Sequence, residues 1–242
     1  MMIGTFPTPR LATLPIISHM SEPRSRARKV HEVVPGILRW RVSDDRIGGV
    51  ESDAYAVRER DRVVLVDPLP LARPALERLG RVEAIALTAA CHQRSAWRYR
   101  AALGAPVHGP EGVPVGAEAG QLLEEPDARY GDGAALPGGL VALHAPGPAL
   151  DMYALWHEAT RALFLADLLT HDGSGAPAFV PGEYQDDPAL TRRSVRALLE
   201  RLPVGVLCFG HGPPIASGAR EALRRALAED RESSASQGAP AP

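Results

Sequence analysis

The sequence predicts an α/β domain built from two half-sheets, each covered by helices. Three observations predict it. Apolar runs of strand length recur along the chain, bounded by Pro, Gly or Asp. Segments with one apolar helical face follow several of these runs. The order is strands, then strand–helix units, then a hairpin, then a further strand–helix unit, with no strong internal repeat.

Residues 37–42 (Ile-Leu-Arg-Trp-Arg-Val) alternate after a Pro35-Gly36 turn, as a strand does. Residues 54–57 read as a second strand. Residues 62–67 form a third, largely buried, which Pro68 stops. Residues 74–79 form a short helix closed by Gly80. Residues 83–88 are the next strand, 95–103 the next helix, ended by Gly104, and 105–107 a short strand. Residues 109–139 hold many Gly, Pro and acidic residues. They predict a long loop of the kind that borders a site. Strand signals return at 140–143, 152–156 and 162–166, the last two joined by a hairpin turn over 157–160. A second irregular stretch, 170–186, follows Asp167. Asp187 as N-cap and Pro188 in the first helical position open a helix. Its apolar face is Val195, Leu198, Leu199 and Leu202, spaced i, i+3, i+4, i+7. Residues 204–208 are a strand. Ser217 is placed to cap a final helix with Ala219, Ala222, Leu223 and Ala226 on one face.

A chain of 242 residues can bury a sizeable core. We read residues 30–230 as the domain, 1–29 as a disordered extension and 231–242, rich in Ser, Ala and Pro, as a disordered tail. The first 29 residues carry Pro7, Pro9, Pro15 and Pro23, and their basic cluster follows the apolar part. That is the wrong order for a signal peptide. Met20 is an alternative start. The formal charge of −2 implies no general attraction to nucleic acid or anionic membrane. No apolar run approaches the ~20 residues of a membrane span, and a cytoplasmic location is expected. Lys29 is the only Lys, so the basic residues are nearly all Arg, for which codon bias is the ordinary reading. Cys91 and Cys208 sit at predicted strand ends and read as buried free thiols, with no disulfide framework.

The most informative stretch is Ile-Ala-Leu-Thr-Ala-Ala-Cys-His-Gln-Arg-Ser, residues 85–95: a buried strand, a short loop, then a helix. In an α/β fold chemistry collects at such carboxyl ends of strands. Here the chain resembles the metallo-β-lactamase superfamily, from about Val33 to about Ile215. Pro35-Gly36-Ile37 and the strand after it resemble the family's opening strand. Val63-Val64-Leu65-Val66-Asp67-Pro68 resembles its apolar strand ending in Asp. Ala145-Pro146-Gly147-Pro148 resembles its Pro-Gly-His-Thr loop with Pro148 in the His place. Phe164-Leu165-Ala166-Asp167 resembles its Gly-Asp strand end, and Phe209-Gly210-His211-Gly212-Pro213 its final Gly-His-Gly segment.

The resemblance implies a single four-layer αββα sandwich. It also implies a dinuclear metal site whose His-x-His-x-Asp-His loop falls on residues 89–95. Two placements are open. Without a gap, Ala89, Cys91, Gln93 and Arg94 fill the ligand places. With one inserted residue, His92 takes the second His place, Arg94 the Asp place and Ser95 the last His place; this placement keeps the distance to Gly104 and Val107 and is preferred. Either way at least two of three histidines are gone, as in a divergent branch of the superfamily in which the loop reads His-x-Arg-Ser or His-x-Arg-Asp. Arg94 is the telling change, because a guanidinium repels a divalent cation and never titrates away. It is expected to enter the site and pair with Asp167.

The candidate site residues are thus His92, Arg94, Asp167 and His211. His144, His108, His171 and His157 read as loop or strand-end residues and Cys91 as core, with His144 as a substitute ligand and Cys91 as a thiolate ligand the less favoured alternatives. Two functions follow. The first is a metallo-β-lactamase-fold protein with an eroded site and no dinuclear zinc, with no cofactor, which binds a small anionic ligand or acts by metal-free chemistry. The second is a hydrolase of an ester, thioester or lactone. It would hold one divalent metal (zinc, manganese or iron) on His92, Asp167 and His211. A small molecule is the expected partner. Nucleic acid is not, because no basic groove is visible.

Overall fold

A computed structural model describes residues 22–174 and 176–237. Among them two sheets lie face to face. The first has seven strands in chain order: β1 (His31–Val34), β2 (Ile37–Asp44), β3 (Val50–Glu59), β4 (Arg62–Val66), β5 (Arg81–Ala86), β6 (Val107–Pro110) and β7 (Ala128–Tyr130). Pairing is antiparallel from β1 to β4 and parallel from β4 to β7. The second sheet has five: β8 (Ala135–Leu136), β9 (Leu140–His144), β10 (Tyr153–His157), β11 (Ala162–Phe164) and β12 (Val206–Cys208). Only its β11–β12 pair is parallel.

The period-2 pattern of the strands builds the layers. In β4, Val64 and Val66 pack between the sheets with Leu155 and Phe164. Val63 and Leu65 point the other way, against Leu79 beside α1 (Arg73–Glu77) and Tyr99 of α2 (Ala96–Leu103). On the far side Leu163 and Leu207 pack under Val195 and Leu198 of α3 (Pro188–Arg201) and Leu223 of α4 (Ala219–Gln237). The result is the expected αββα sandwich. Each fully buried Leu or Val contributes about 1.5–3 kcal/mol. As expected, the Asp187 carboxylate caps α3, accepting from Leu190 N at 2.8 Å.

Several boundaries differ from the sequence reading. β3 runs ten residues instead of four, because its first half carries Glu51, Ser52 and Asp53, which hide the apolar pattern. Residues 109–139, expected as loop, contain β7 and β8; three- and two-residue strands are too short for a periodic signal. Gly218, rather than Ser217, opens α4, its carbonyl accepting from Ala222 N at 2.9 Å. Residues 22–29, assigned to the extension, lie on the domain: Ala27 pairs with Leu71, and Glu22 binds Arg98 at 2.7 Å. The helix α4 continues through residue 237 into the segment assigned to the tail. Residues 1–21, with Met20, and 238–242 fall outside the described residues. No described helix is long and apolar enough to cross a membrane.

Candidate functional site

The site lies at the carboxyl ends of β4, β5, β11 and β12. The chain leaves three of these ends through strained backbone. Asp67 (φ 46°), Arg94 (φ 32°) and Ala166 (φ 50°) are all left-handed without being glycine. Such residues cost of order 1–3 kcal/mol each and cluster at functional sites.

His92 ends a 3-10 turn after β5 and is only 3% exposed. Its Nδ1 faces Thr88 Oγ1 at 2.8 Å and Asp67 Oδ2 at 3.1 Å, while Nε2 faces Asp167 Oδ2 at 3.0 Å. Asp67 is itself fixed, accepting from Thr88 N (2.8 Å) and Thr88 Oγ1 (2.6 Å). The imidazole thus bridges two carboxylates. Burial alone would lower its pKa, but Asp167, with Cys91 and Asp67, outweighs burial and raises it well above the ordinary value. Burial likewise opposes the charged form of Asp167. His92, His211 and Arg94 overcome it and hold that carboxyl well below the usual range. Both shifts favour the charged pair.

His211 approaches Asp167 from the other side, Nε2 lying 3.5 Å from Oδ1. Its Nδ1 faces the Glu51 carbonyl at 3.0 Å. The loop is tied to β3, where Asp53 Oδ2 accepts from Gly212 N (2.8 Å) and Asp53 N donates to Gly210 O (2.8 Å). Arg39 secures the buried Asp53 with a 2.6 Å ion pair. The structure thus brings His92, Asp167 and His211, from three distant segments, to one point.

Arg94 enters the same region but does not pair with Asp167, which corrects that expectation. Its guanidinium is turned towards strand-end carbonyls, Nη1 donating to Asp53 O (2.9 Å) and Asp67 O (3.4 Å). The physical reason is that His92 already occupies Asp167 Oδ2 and His211 stands at Oδ1. Cys91, expected in the core, is exposed. The remaining histidines keep local roles. His157 bonds Thr160 within the hairpin, His144 bonds the Leu150 carbonyl and His171 the Pro213 carbonyl.

A cavity of about 270 Å³ opens over these groups; Arg46, His92, Arg94, Asp167 and His211 are in its wall. Ala119, Gly120 and Gln121 close one side, so the irregular stretch does border the site. A wider depression of about 630 Å³ meets the cavity at Cys91, Gly120 and Asp167.

The donor set does not fit a dinuclear centre. Pro148 has no donor, Arg94 places a guanidinium in the wall, and Ser95 does not line the cavity. Among the described residues only Cys91, His92 and Asp167 form a group of three or more ligand side chains, their donor atoms within 4.8 Å of one another. Three donors fit one ion with an open position. Asp167 Oδ1 is buried without a hydrogen-bond partner, with His211 Nε2 3.5 Å away. A metal there would supply Lewis-acid polarisation of a bound carbonyl.

Reasoning from sequence missed Asp67, Thr88 and Asp53. Asp67 had a signal, an acid ending a fully apolar strand. Asp53 had none, since its partner Arg39 lies on a neighbouring strand.

This arrangement is that of the metallo-β-lactamase fold, and solved structures show the likeness. A metallo-beta-lactamase from Pontibacter korlensis is similar with TM-score 0.66 at 18% identity, over 83% of this chain and 98% of that one. One from Hirschia baltica gives 0.63 at 16%, over 84% and 97%. A metallo-beta-lactamase family protein from Thermus thermophilus gives 0.61 at 22%, over 83% and 81%. No family model and no curated protein sequence matches the chain.

Proposed function

We propose that this metallo-β-lactamase-fold protein has no dinuclear zinc centre and binds a small anionic ligand in the 270 Å³ cavity. One observation carries this reading. Arg94 is a nearly buried cation whose hydrogen-bond partners are main-chain carbonyls only, and only Nη1 is used. The rest of the guanidinium is free to meet a carboxylate or phosphate, for which its fork is suited. His211 also lines the cavity. Calorimetric titration with acetate and with inorganic phosphate tests the reading. Millimolar or tighter binding to the wild type, lost in Arg94→Met, supports it. No binding, or equal binding by the variant, refutes it.

A second reading has its own observation. His92 Nδ1 faces the Asp67 carboxylate while Nε2 faces Asp167, the orientation that metal-bound histidines adopt. On this reading one cation between His92 and Asp167 serves hydrolysis of an ester, thioester or lactone. Arg94 would orient an anionic substrate group and His211 would stand beside Asp167. Metal analysis of the purified chain tests it, and a near-stoichiometric divalent ion supports it over metal-free chemistry. Metal absent even after incubation with zinc refutes it.

A further inference from the structure

The sequence sets Cys91 aside as core, whereas the structure exposes it beside two donors of the site. We infer that Cys91, His92 and Asp167 form a single-cation site in which a thiolate stands in for the lost histidines, and that this site selects zinc over manganese. The inference rests on the single-cation reading above and replaces His211 by Cys91 in its ligand set.

Three observations converge. The first is distance. Donors about 2.0–2.3 Å from a tetrahedral zinc lie roughly 3.3–3.8 Å from one another. The Cys91, His92 and Asp167 donors already fall within 4.8 Å of one another, and His92 Nε2 is 3.0 Å from Asp167 Oδ2. An ion between them needs the 3.0 Å His92–Asp167 contact to open and Cys91 to draw in. The second is the orphaned Asp167 Oδ1, a buried acceptor with no hydrogen-bond partner. The third is the outer shell. Thr88 N and Oγ1 fix Asp67, and Asp67 fixes the His92 ring with Nε2 directed at Asp167.

The donor set also sets the number and kind of ion. Arg94, held on the carbonyls of Asp53 and Asp67, contributes a permanent positive charge that opposes a second cation. A thiolate and an imidazole suit zinc, whereas manganese prefers carboxylate, carbonyl and water oxygens. Cys91 lies where the cavity meets the wider depression, so an ion bound there would be reached from solvent.

The test is a cobalt(II) titration of the full chain after chelator treatment, read by absorbance. The expected result is one equivalent bound with an intense near-ultraviolet thiolate-to-cobalt charge-transfer band, which zinc abolishes and excess manganese does not. Cys91→Ser should lose the band while its circular dichroism stays that of the wild type. Cys208→Ala should keep it, because that thiol is buried on β12 between the sheets. Asp67→Asn should keep the band but bind about 10–100-fold more weakly. Cobalt bound without the band, or a band lost in Cys208→Ala and kept in Cys91→Ser, overturns the role of Cys91 and leaves the single-cation reading standing. Failure to bind cobalt or zinc at all overturns both. Displacement by manganese as readily as by zinc overturns the selectivity.

Discussion

Replacing His92 by Ala removes the one side chain that bridges Asp67 and Asp167. The two carboxylates are not left equally stranded. Asp67 keeps Thr88 N and Thr88 Oγ1 at 2.8 and 2.6 Å. Asp167 keeps His211 at 3.5 Å and the more distant charge of Arg94, with 24% of its side chain exposed. The loss is therefore close to one buried charge pair, about 3 kcal/mol, the lower end for removing one partner of such a pair. Its pH dependence follows from the two shifts. The raised His92 pKa gives stability that is full below the unfolded value of ~6.5 and lost as pH rises through the folded value. The lowered Asp167 pKa gives stability that is full above ~3.9 and lost as pH falls through its folded value. The pair thus contributes most between about pH 4 and pH 6.5. Urea unfolding of chelator-treated protein across about pH 5–9 measures both effects. The wild type should lose stability on the alkaline side, and His92→Ala should lack that loss. A variant within about 0.5 kcal/mol of wild type, or parallel alkaline slopes in both proteins, would refute the bridging imidazolium.

Three further substitutions probe what holds the site. Asp53→Ala leaves the partly buried Arg39 without its partner and frees Gly212 N; urea unfolding should show a loss of about 3 kcal/mol, and a loss under about 1 kcal/mol would count against the pair. Gly212→Ala places a Cβ 1.5 Å from the His171 carbonyl oxygen at φ +110°. It should cost about 3 kcal/mol in urea unfolding and weaken anion binding measured by calorimetry, and an unchanged midpoint would show that the loop yields. Asp187→Ala removes the bond to Leu190 N and should lower α3 stability by about 1 kcal/mol with ligand binding unaffected. A thermal scan reads the first and calorimetry the second; a change in binding would contradict a purely local role.

Strands such as β4 were legible because burial on both faces leaves an unbroken apolar run, and α3 because Asp187-Pro188 announces its start. β7 was not, since Ala128, Arg129 and Tyr130 owe their strand state to pairing with β6, a contact remote in sequence. The same division holds in the site. His92, Asp167 and His211 could be named from segments that end strands. Their meeting could be expected from the resemblance; which atoms pair could not, and the Arg94–Asp167 pairing failed for that reason. A one-dimensional reading matches a cation to the nearest anion by charge. In three dimensions the left-handed backbone at Arg94 and the prior claim of His92 on Asp167 decide otherwise. Asp53 was invisible because a buried acid between Ser52 and Ala54 looks like an exposed strand position until Arg39 is seen across the pair.

A carboxylate buried beside a cavity is costly unless it is paired or hydrogen-bonded. Two of the acids near this site are fully met. Asp67 is met by a backbone N–H, a hydroxyl and the His92 ring. Asp53 is met by Arg39 and the Gly212 N–H. Asp167 is the exception, since one oxygen binds His92 and the other has no hydrogen-bond partner. Asp167 and the exposed Cys91 line both the cavity and the wider depression. Asp167 thus keeps one oxygen with no hydrogen bond and only the longer His211 contact of 3.5 Å. That is why the cobalt titration and the His92→Ala unfolding experiment, though they read different quantities, address the same few ångströms.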